Sequence, residues 1–510
     1  MADTKPLGST HSYRLSAQDA TFIYAESATG PLHIGSIAIF EGQIDFEQLV
    51  HSIESRLHLV PSYRQRIAPV PFNLANAMME DDTDFNVRNH VFRHQLPSGL
   101  SEAEAIEEMM RDYARILDRR RPLWEMHSFE GLEGDRTAIV SKVHHCLVDG
   151  VSGVELLKVM FDLKANPEPI EPPAKPWRPD PPTPQFKRLA DAVRERGRAM
   201  LRTTFNVAQE MMNEPDRMAD TVRSMAGAAE VAADLATRRI VAAPWNSGLV
   251  GNERSLAWSR HSFAEFRAIR NAFGGSINDV VLTILGEGAA RYLKEHGYEV
   301  TGQKICVGCP VNVRQRSEST SLGNRVSMMF PLLNAEPMDV VERLHAITAE
   351  TERIKNEGSA QALDGLMSMG DAIPPSMLAA VSRVATFSID AASSLLKLTG
   401  YKPSPQGLGL PALGINFIAT NVPGVQVPQY VLGHRCLDQL PLVPLGATLG
   451  YNVAILSYNQ NLYFGMSAAP NLIPDVAVMK LFVDEAFDEL RSRATAHEES
   501  RAQSAAAGAA

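Results

Sequence analysis

The chain has 510 residues, 45% hydrophobic and 21% charged, with a formal net charge of −10. At roughly 100–200 residues per domain this predicts two to four domains with ample core, and the composition excludes bulk disorder. Four cysteines exclude a disulfide framework, and an acidic chain without a basic stripe on a recognition motif is read as no nucleic-acid binder.

The start, Met-Ala-Asp-Thr-Lys-Pro, has no apolar core, and no run of 18 apolar residues occurs. The expectation is a cytoplasmic chain whose membrane contact is peripheral. A strand is predicted over Gly35–Phe40 and an amphipathic helix over Asp45–Leu57. Ser101 and Glu104 form a capping-box pattern that opens a helix to about Asp118. Arg121-Pro-Leu-Trp124 reads as a turn entering a strand, Thr137–Val143 as a second strand, and Val151–Leu163 as a helix. Residues 167–184 hold nine of the 32 prolines and are predicted to be an extended linker. Helix is expected over 185–240. Its first part, 185–205, carries six basic residues against Asp191 and Glu195, together with Phe186, Leu189 and Val193. That pattern suits a solvated helix packed on its own protein, with an anionic membrane surface as the functional alternative. Helices follow over Ser276–Leu293 and Asp339–Lys355, and strands over Lys304–Val313, Ile415–Thr420, Thr448–Tyr458 and Asn461–Ala468. A Met- and Ala-rich helical region is expected at 359–400, a last helix from Pro474 to Arg493, and disorder over 496–510.

One internal echo stands out. Ala138–Leu163 and Leu462–Leu490 both read strand, loop, aspartate, apolar helix. The alignment places Ser141 on Ser467, Asp149 on Asp475 and His145 opposite Asn471, so two related halves are expected, only the first with a histidine at that place.

The strongest chemical signal is His144-His145-Cys146-Leu147-Val148-Asp149-Gly150, between a predicted strand and a predicted helix. A histidine there suits general-base work near neutral pH. Asp149 is placed to orient it or to hold the loop, and Gly150 lets the backbone turn. Plainer readings are a metal site, a helix cap at Asp149, or core histidines. Adjacent histidines rarely present both rings to one ion, and no third nitrogen or sulfur ligand lies at usual spacing. Asp149 as a cap is compatible with function. Cys306-Val-Gly-Cys309 falls inside a predicted strand, so it is read as incidental rather than redox-active. Arg119-Arg-Arg121 suits either phosphate binding or a solvated helix end.

The heptad matches the HHxxxDG motif of the CoA-dependent acyltransferase superfamily, and further motifs narrow the resemblance. These are Leu15-Ser-Ala-Gln-Asp19, Pro122-Leu123-Trp124, Asn278-Asp279-Val-Val281, Gly323-Asn-Arg325 and Thr420-Asn421-Val-Pro-Gly424. Over roughly residues 12–490 the chain resembles the bacterial wax ester synthase/diacylglycerol acyltransferase family.

The resemblance implies an α/β fold of two chloramphenicol-acetyltransferase-like, condensation-domain-like subdomains with the active-site tunnel between them. The boundaries read here are 1–166, a linker at 167–184, a helical connection at 185–240, and a second subdomain at 241–495. The resemblance also implies transfer of a long-chain acyl group from acyl-CoA to diacylglycerol or a long-chain alcohol. In it His145 is the general base, His144 supports it, and Asp149 fixes the loop by a salt bridge, with Arg314 one partner. Pro122, Leu123, Trp124, Asn278, Asp279 and Asn421 would lie along the channel or interface, although Ser276 and Asp279 also have capping-box spacing. Thr420 and Val425 depart from the usual SNVPGP pattern. No cofactor and no metal is expected; acyl-CoA is a substrate. The partners implied are the acceptor lipid and a lipid droplet or inner-membrane surface. Two rivals remain: a condensation-type enzyme charged by a carrier protein, and a non-catalytic lipid-binding protein.

Overall fold

Capping and periodicity act as expected in the first half. In the computed structural model, which describes residues 12–148, 156–195, 197–198, 240–312, 326–357 and 414–508, this half begins with β1 (Tyr13–Arg14) and α1 (Ala17–Ala25). It continues with β2 (His33–Glu41), α2 (Phe46–Arg56), β3 (Gln65–Ala68), β4 (Met78–Asp81) and β5 (Val91–Gln95). Next come α3 (Glu102–Tyr113), β6 (Trp124–Leu132) and β7 (Arg136–His144). Asp45 caps α2 by accepting from Gln48 N at 2.8 Å, and the buried face is Leu49, Val50 and Ile53. The capping box at Ser101 and Glu104 is formed in full. Gly134 and Asp135, both at positive φ, turn the β6–β7 hairpin.

The second half runs β8 (Ser255–Ser262), helices Phe263–Phe273 and Ile277–Glu295, β9 (Lys304–Asn312), β10 (Val326–Met329) and β11 (Leu332–Asn334). The helix Val340–Glu357 follows, and then β12 (Phe417–Val422), β13 (Tyr430–Val431), β14 (His434–Leu442), β15 (Tyr451–Tyr458) and β16 (Asn461–Ala468). Helix Ile277–Glu295 is buried over most of its length. A Cβ on its Gly288 would lie 2.5 Å from Val483 Cγ2, so glycine permits the close crossing with the last helix.

Three sheets result. The small one is ordered β1-β4-β3, and the second-half sheet runs β10-β9-β12-β15-β16-β8 with β11 on β9. The first-half sheet is ordered β13-β14-β2-β7-β6-β5. Its composition corrects the expected boundary, because β13 and β14 come from the segment assigned to the second subdomain. β14 pairs antiparallel with β2, from Cys436 opposite Phe40 to Leu442 opposite Gly35. Ile37, Ala38, Ile39 and Phe40 are fully buried, and without β14 that side of β2 would be an unpaired apolar edge. β14 also meets the second sheet. Asp438 binds Arg260 at 2.7 Å and Tyr463 Oη at 3.2 Å, and a Cβ on Gly465 would fall 1.8 Å from Pro441 O.

The tail differs too. The last helix spans Val476–Gly508 instead of ending near Arg493, since its Ala-rich end has high helix propensity. The linker has no regular structure, as expected, but it is docked. Trp177 lies under the Arg64 guanidinium at 4.6 Å, Asp180 N donates to Asp81 at 3.0 Å, and Arg188 pairs with Glu80 at 3.2 Å. Beyond it the chain is helical at 185–195. The expected helices over 199–239 and 359–400 lie outside the described residues, and of Val151–Leu163 the described part is helical at 156–160.

Candidate active site

β7 carries its register to the very end, with His144 opposite His33 on β2. The chain then leaves the sheet through three backbone bonds: His144 N to Leu123 O, His145 N to Leu32 O, and Leu147 N to His144 O, each 2.9 Å. The histidine pair therefore sits on a turn anchored from both neighbouring strands.

His144 is fully buried, and its Nδ1 accepts from Cys146 N at 3.1 Å. That bond places the ring proton on Nε2, which faces Glu26 Oε1 at 3.3 Å. Glu26 is itself buried. Oε1 also accepts from Leu32 N at 3.0 Å, and Oε2 accepts from Arg119 Nε and Nη2 at 3.1 and 2.8 Å. Burial pushes this carboxyl up, but the bonds and charge from His144, Leu32 and Arg119 outweigh it and hold the group at about 2. His145 is half-buried, and its ring stacks on Phe22 with centroids 4.0 Å apart and planes 12° apart.

Both Phe22 and Glu26 come from α1 and its C-cap, which gives the Leu15–Asp19 motif a physical role. Ser16 caps α1 by accepting from Asp19 N at 3.1 Å, and Leu15 is buried beneath it. The helix then delivers one ring to His145 and one carboxylate to His144. Glu26 and Arg119 are site residues that the sequence reading did not assign to the histidines. A lone glutamate after a short helix gives no spacing signal, and Arg119 was legible only as a basic run.

Pro122, Leu123 and Trp124 flank the same turn. Leu123 O holds His144 N. Trp124 is fully buried, stacked on Tyr63 and His90, with Nε1 donating to Tyr63 O at 2.8 Å. A cavity of about 1010 Å³ opens on the Glu26 side, lined by Tyr24, Glu26, Val70, Arg119, Pro184 and Arg188.

The other candidates lie in the second half. Asp279 completes the capping box with Ser276 and accepts from Thr351 Oγ1 at 2.8 Å, while the half-buried Asn278 sits one residue before it. Asn421, on β12, is half-buried opposite Ile455. Its neighbour Gly424 donates to Ser457 Oγ at 3.0 Å, and a Cβ there would lie 2.2 Å from Ser457 O, so only glycine fits. The bonds of Asp279 stay within the second half. Asp149, Gly150, Arg314 and Gly323–Arg325 lie outside the described residues. Cys306 and Cys309 are buried thiols in β9, and burial pushes the Cys309 thiol up, away from nucleophile chemistry.

The family model described as the wax ester synthase/diacylglycerol acyltransferase catalytic domain matches residues 15–281, and the model of the WS/DGAT C-terminal domain matches 322–491. The chain is 29% identical over 481 residues to a probable diacylglycerol O-acyltransferase, tgs1, of Mycobacterium tuberculosis, covering 93% of this chain and 95% of that one. In fold it is similar to the wax ester synthase/diacylglycerol acyltransferase of Marinobacter aquaeolei VT8, with TM-score 0.63, 19% identity, and 95% and 100% of the two chains covered. It is also similar to the first condensation domain of the calcium-dependent antibiotic synthetase, with TM-score 0.56, 14% identity, and 94% and 95% covered.

Proposed function

The chain belongs to the wax ester synthase/diacylglycerol acyltransferase family, and from that premise we propose that it moves a long-chain acyl group from acyl-CoA to diacylglycerol or a long-chain alcohol, with His145 as general base. The observation that carries this reading is the divided histidine pair: His144 is locked in the interior by Glu26, and His145 stands half-buried beside it with its ring held against Phe22.

In the proposed step His145 takes the proton of the acceptor hydroxyl as its oxygen bonds to the thioester carbonyl carbon. The tetrahedral intermediate then expels CoA by breaking the C–S bond, the thiolate takes the proton back from the imidazolium, and the ester is released. No acyl-enzyme is formed, so no nucleophilic Ser or Cys is required. His144, Glu26 and Arg119 act as positioning residues that keep the turn rigid. The family motif assigns Asp149 and Gly150 to the support of the same turn. Pro122, Leu123 and Trp124 support the strand end, and the family resemblance assigns Asn278, Asp279 and Asn421 to the substrate path from the second half.

Water-insoluble acceptors call for a lipid surface. Among the described residues no helix is long and apolar enough to cross a membrane. The helix at 185–195 exposes Phe186 and Val193 beside Lys187 and Arg194, which suits peripheral docking on a droplet or inner-membrane surface. Arg188 is withdrawn from that face by its buried pair with Glu80.

The test is CoA release from palmitoyl-CoA with dioleoylglycerol in one reaction and hexadecanol in another, products identified by mass. Ester in either tube supports the reading, and the ratio assigns the acceptor. Folded protein that makes no ester from either acceptor, yet accepts an acyl-carrier protein donor, would replace it.

A further inference from the structure

On the α3 side of the first sheet, three side chains from three elements meet. They are His94 on β5, Asp112 on α3 and His127 on β6, and their donor atoms all lie within 4.8 Å of one another. No step of the proposed acyl transfer uses them.

The protonation pattern can be followed from one end. Glu125 accepts from Lys142 Nζ at 2.8 Å, and its Oε2 lies 3.1 Å from His127 Nε2. Paired with Lys142, the Glu125 carboxylate is an acceptor only. His127 Nε2 therefore carries the proton, and the lone pair of His127 Nδ1 faces His94 Nε2 at 3.0 Å. One proton is shared across that contact. The other His94 nitrogen, Nδ1, lies 3.6 Å from Asp112 Oδ2. Arg115 takes the other oxygen, Oδ1, at 3.0 Å.

We propose that this cluster binds a divalent transition metal, zinc foremost, through His94, His127 and Asp112. One cation in place of the shared proton would be held by one nitrogen from each imidazole, with the Asp112 carboxylate beside it. Two nitrogens at about 2.0–2.1 Å from one tetrahedral ion stand about 3.3 Å apart, close to the spacing the pair already has. The Glu125–His127 contact supplies the carboxylate–histidine support that metal-bound imidazoles ordinarily have, fixing the tautomer with Nδ1 as ligand. Two imidazoles and one carboxylate suit zinc, cobalt or nickel rather than magnesium or calcium. The ring of His94 is partly exposed, which leaves an entry path and room for a water as fourth ligand. The ion would staple the outer strand β5 and helix α3 to β6, the strand that begins at Trp124. Lys142 and Arg115 are the cations facing the site. They oppose a bound dication, so micromolar rather than nanomolar affinity is expected.

The test uses the full chain with any affinity tag removed, stripped by chelator and titrated with Co²⁺. The expected result is a d–d absorption band saturating at one equivalent, bleached by Zn²⁺, together with a rise in Tm on adding ZnCl₂ that EDTA reverses. His94→Gln and His127→Ala, each checked for fold by circular dichroism, should lose both signals, and His94→Gln should retain acyl transfer. The proposal is overturned if the wild-type chain shows no saturable band, or if folded His94→Gln binds Co²⁺ as the wild type does.

Discussion

β7 and β16 hold equivalent places in the two large sheets, β7 between β2 and β6 and β16 between β15 and β8, and each ends in a turn toward a helix. After β7 the turn presents His144 and His145, one buried against a carboxylate and one half-open against a ring. After β16 the corresponding residue is Asn471, whose Oδ1 accepts from Gly251 N at 2.9 Å and whose Nδ2 donates to Leu249 O at 3.0 Å. Asp475, the counterpart of Asp149, accepts from Tyr292 Oη at 2.5 Å and contacts His296 Nε2 at 2.8 Å. The same scaffold thus carries a histidine pair on the turn of one half and a loop clasp on that of the other. The position supplies the exposure, and the residue and its neighbours supply the chemistry.

Breaking the first turn should cost most. Glu26→Ala takes the acceptor from the buried His144 Nε2–H and from Leu32 N, each unsatisfied donor costing about 1–3 kcal/mol, while Arg119, 40% exposed, keeps Ile23 O. Urea unfolding checks this, and Glu26→Gln should recover part of the loss. The joint between the sheets comes next. Gly465→Ala forces a Cβ against Pro441 O, and about 3 kcal/mol of destabilisation is expected, with the midpoint shifted and no change in fold.

The acid side sharpens the contrast further. Glu26 is held at about 2, below the ordinary carboxylate value, so the stability it contributes is present above pH ~4.3 and is lost as pH falls through about 2. His33, opposite His144, is pushed down to about 3 by burial and then by Lys142. It stays neutral when folded but takes a proton when unfolded below pH ~6.5, so its contribution is lost as pH falls from ~6.5 toward 3. Unfolding free energy measured across this range should fall steadily, and His33→Gln should flatten the part between about pH 6 and 4. A profile unchanged by that substitution would contradict the assignment. The smallest effect is expected at the second turn: Asn471→Ala removes two exposed loop bonds, about 1 kcal/mol, with acyl transfer within a few-fold of wild type.

Much of this was legible in order and type. The motif strand, both capping boxes, the docked linker's lack of regular structure and the long strands Tyr451–Tyr458 and Asn461–Ala468 follow from local pattern. What escaped is non-local or unpatterned. α1 buries only Ala17, Ala20 and Ile23, too little large apolar surface to show a 3.6-residue period. β14 contains Pro441 and mixed charges, and becomes a strand because β2 offers it an edge. The ties from Glu26 to His144, and among His94, Asp112 and His127, join residues on different elements, and no spacing within one element announces them.

The central claim is that the two turns differ in chemistry and not in architecture. The most direct measurement compares ester formation by His145→Ala and Asn471→Ala from the same acyl-CoA and acceptor, with folding checked for both. The account predicts a loss of about 10²–10⁴ for His145→Ala and a change of a few-fold at most for Asn471→Ala. A loss of only a few-fold for His145→Ala, or equal losses in both, would contradict it.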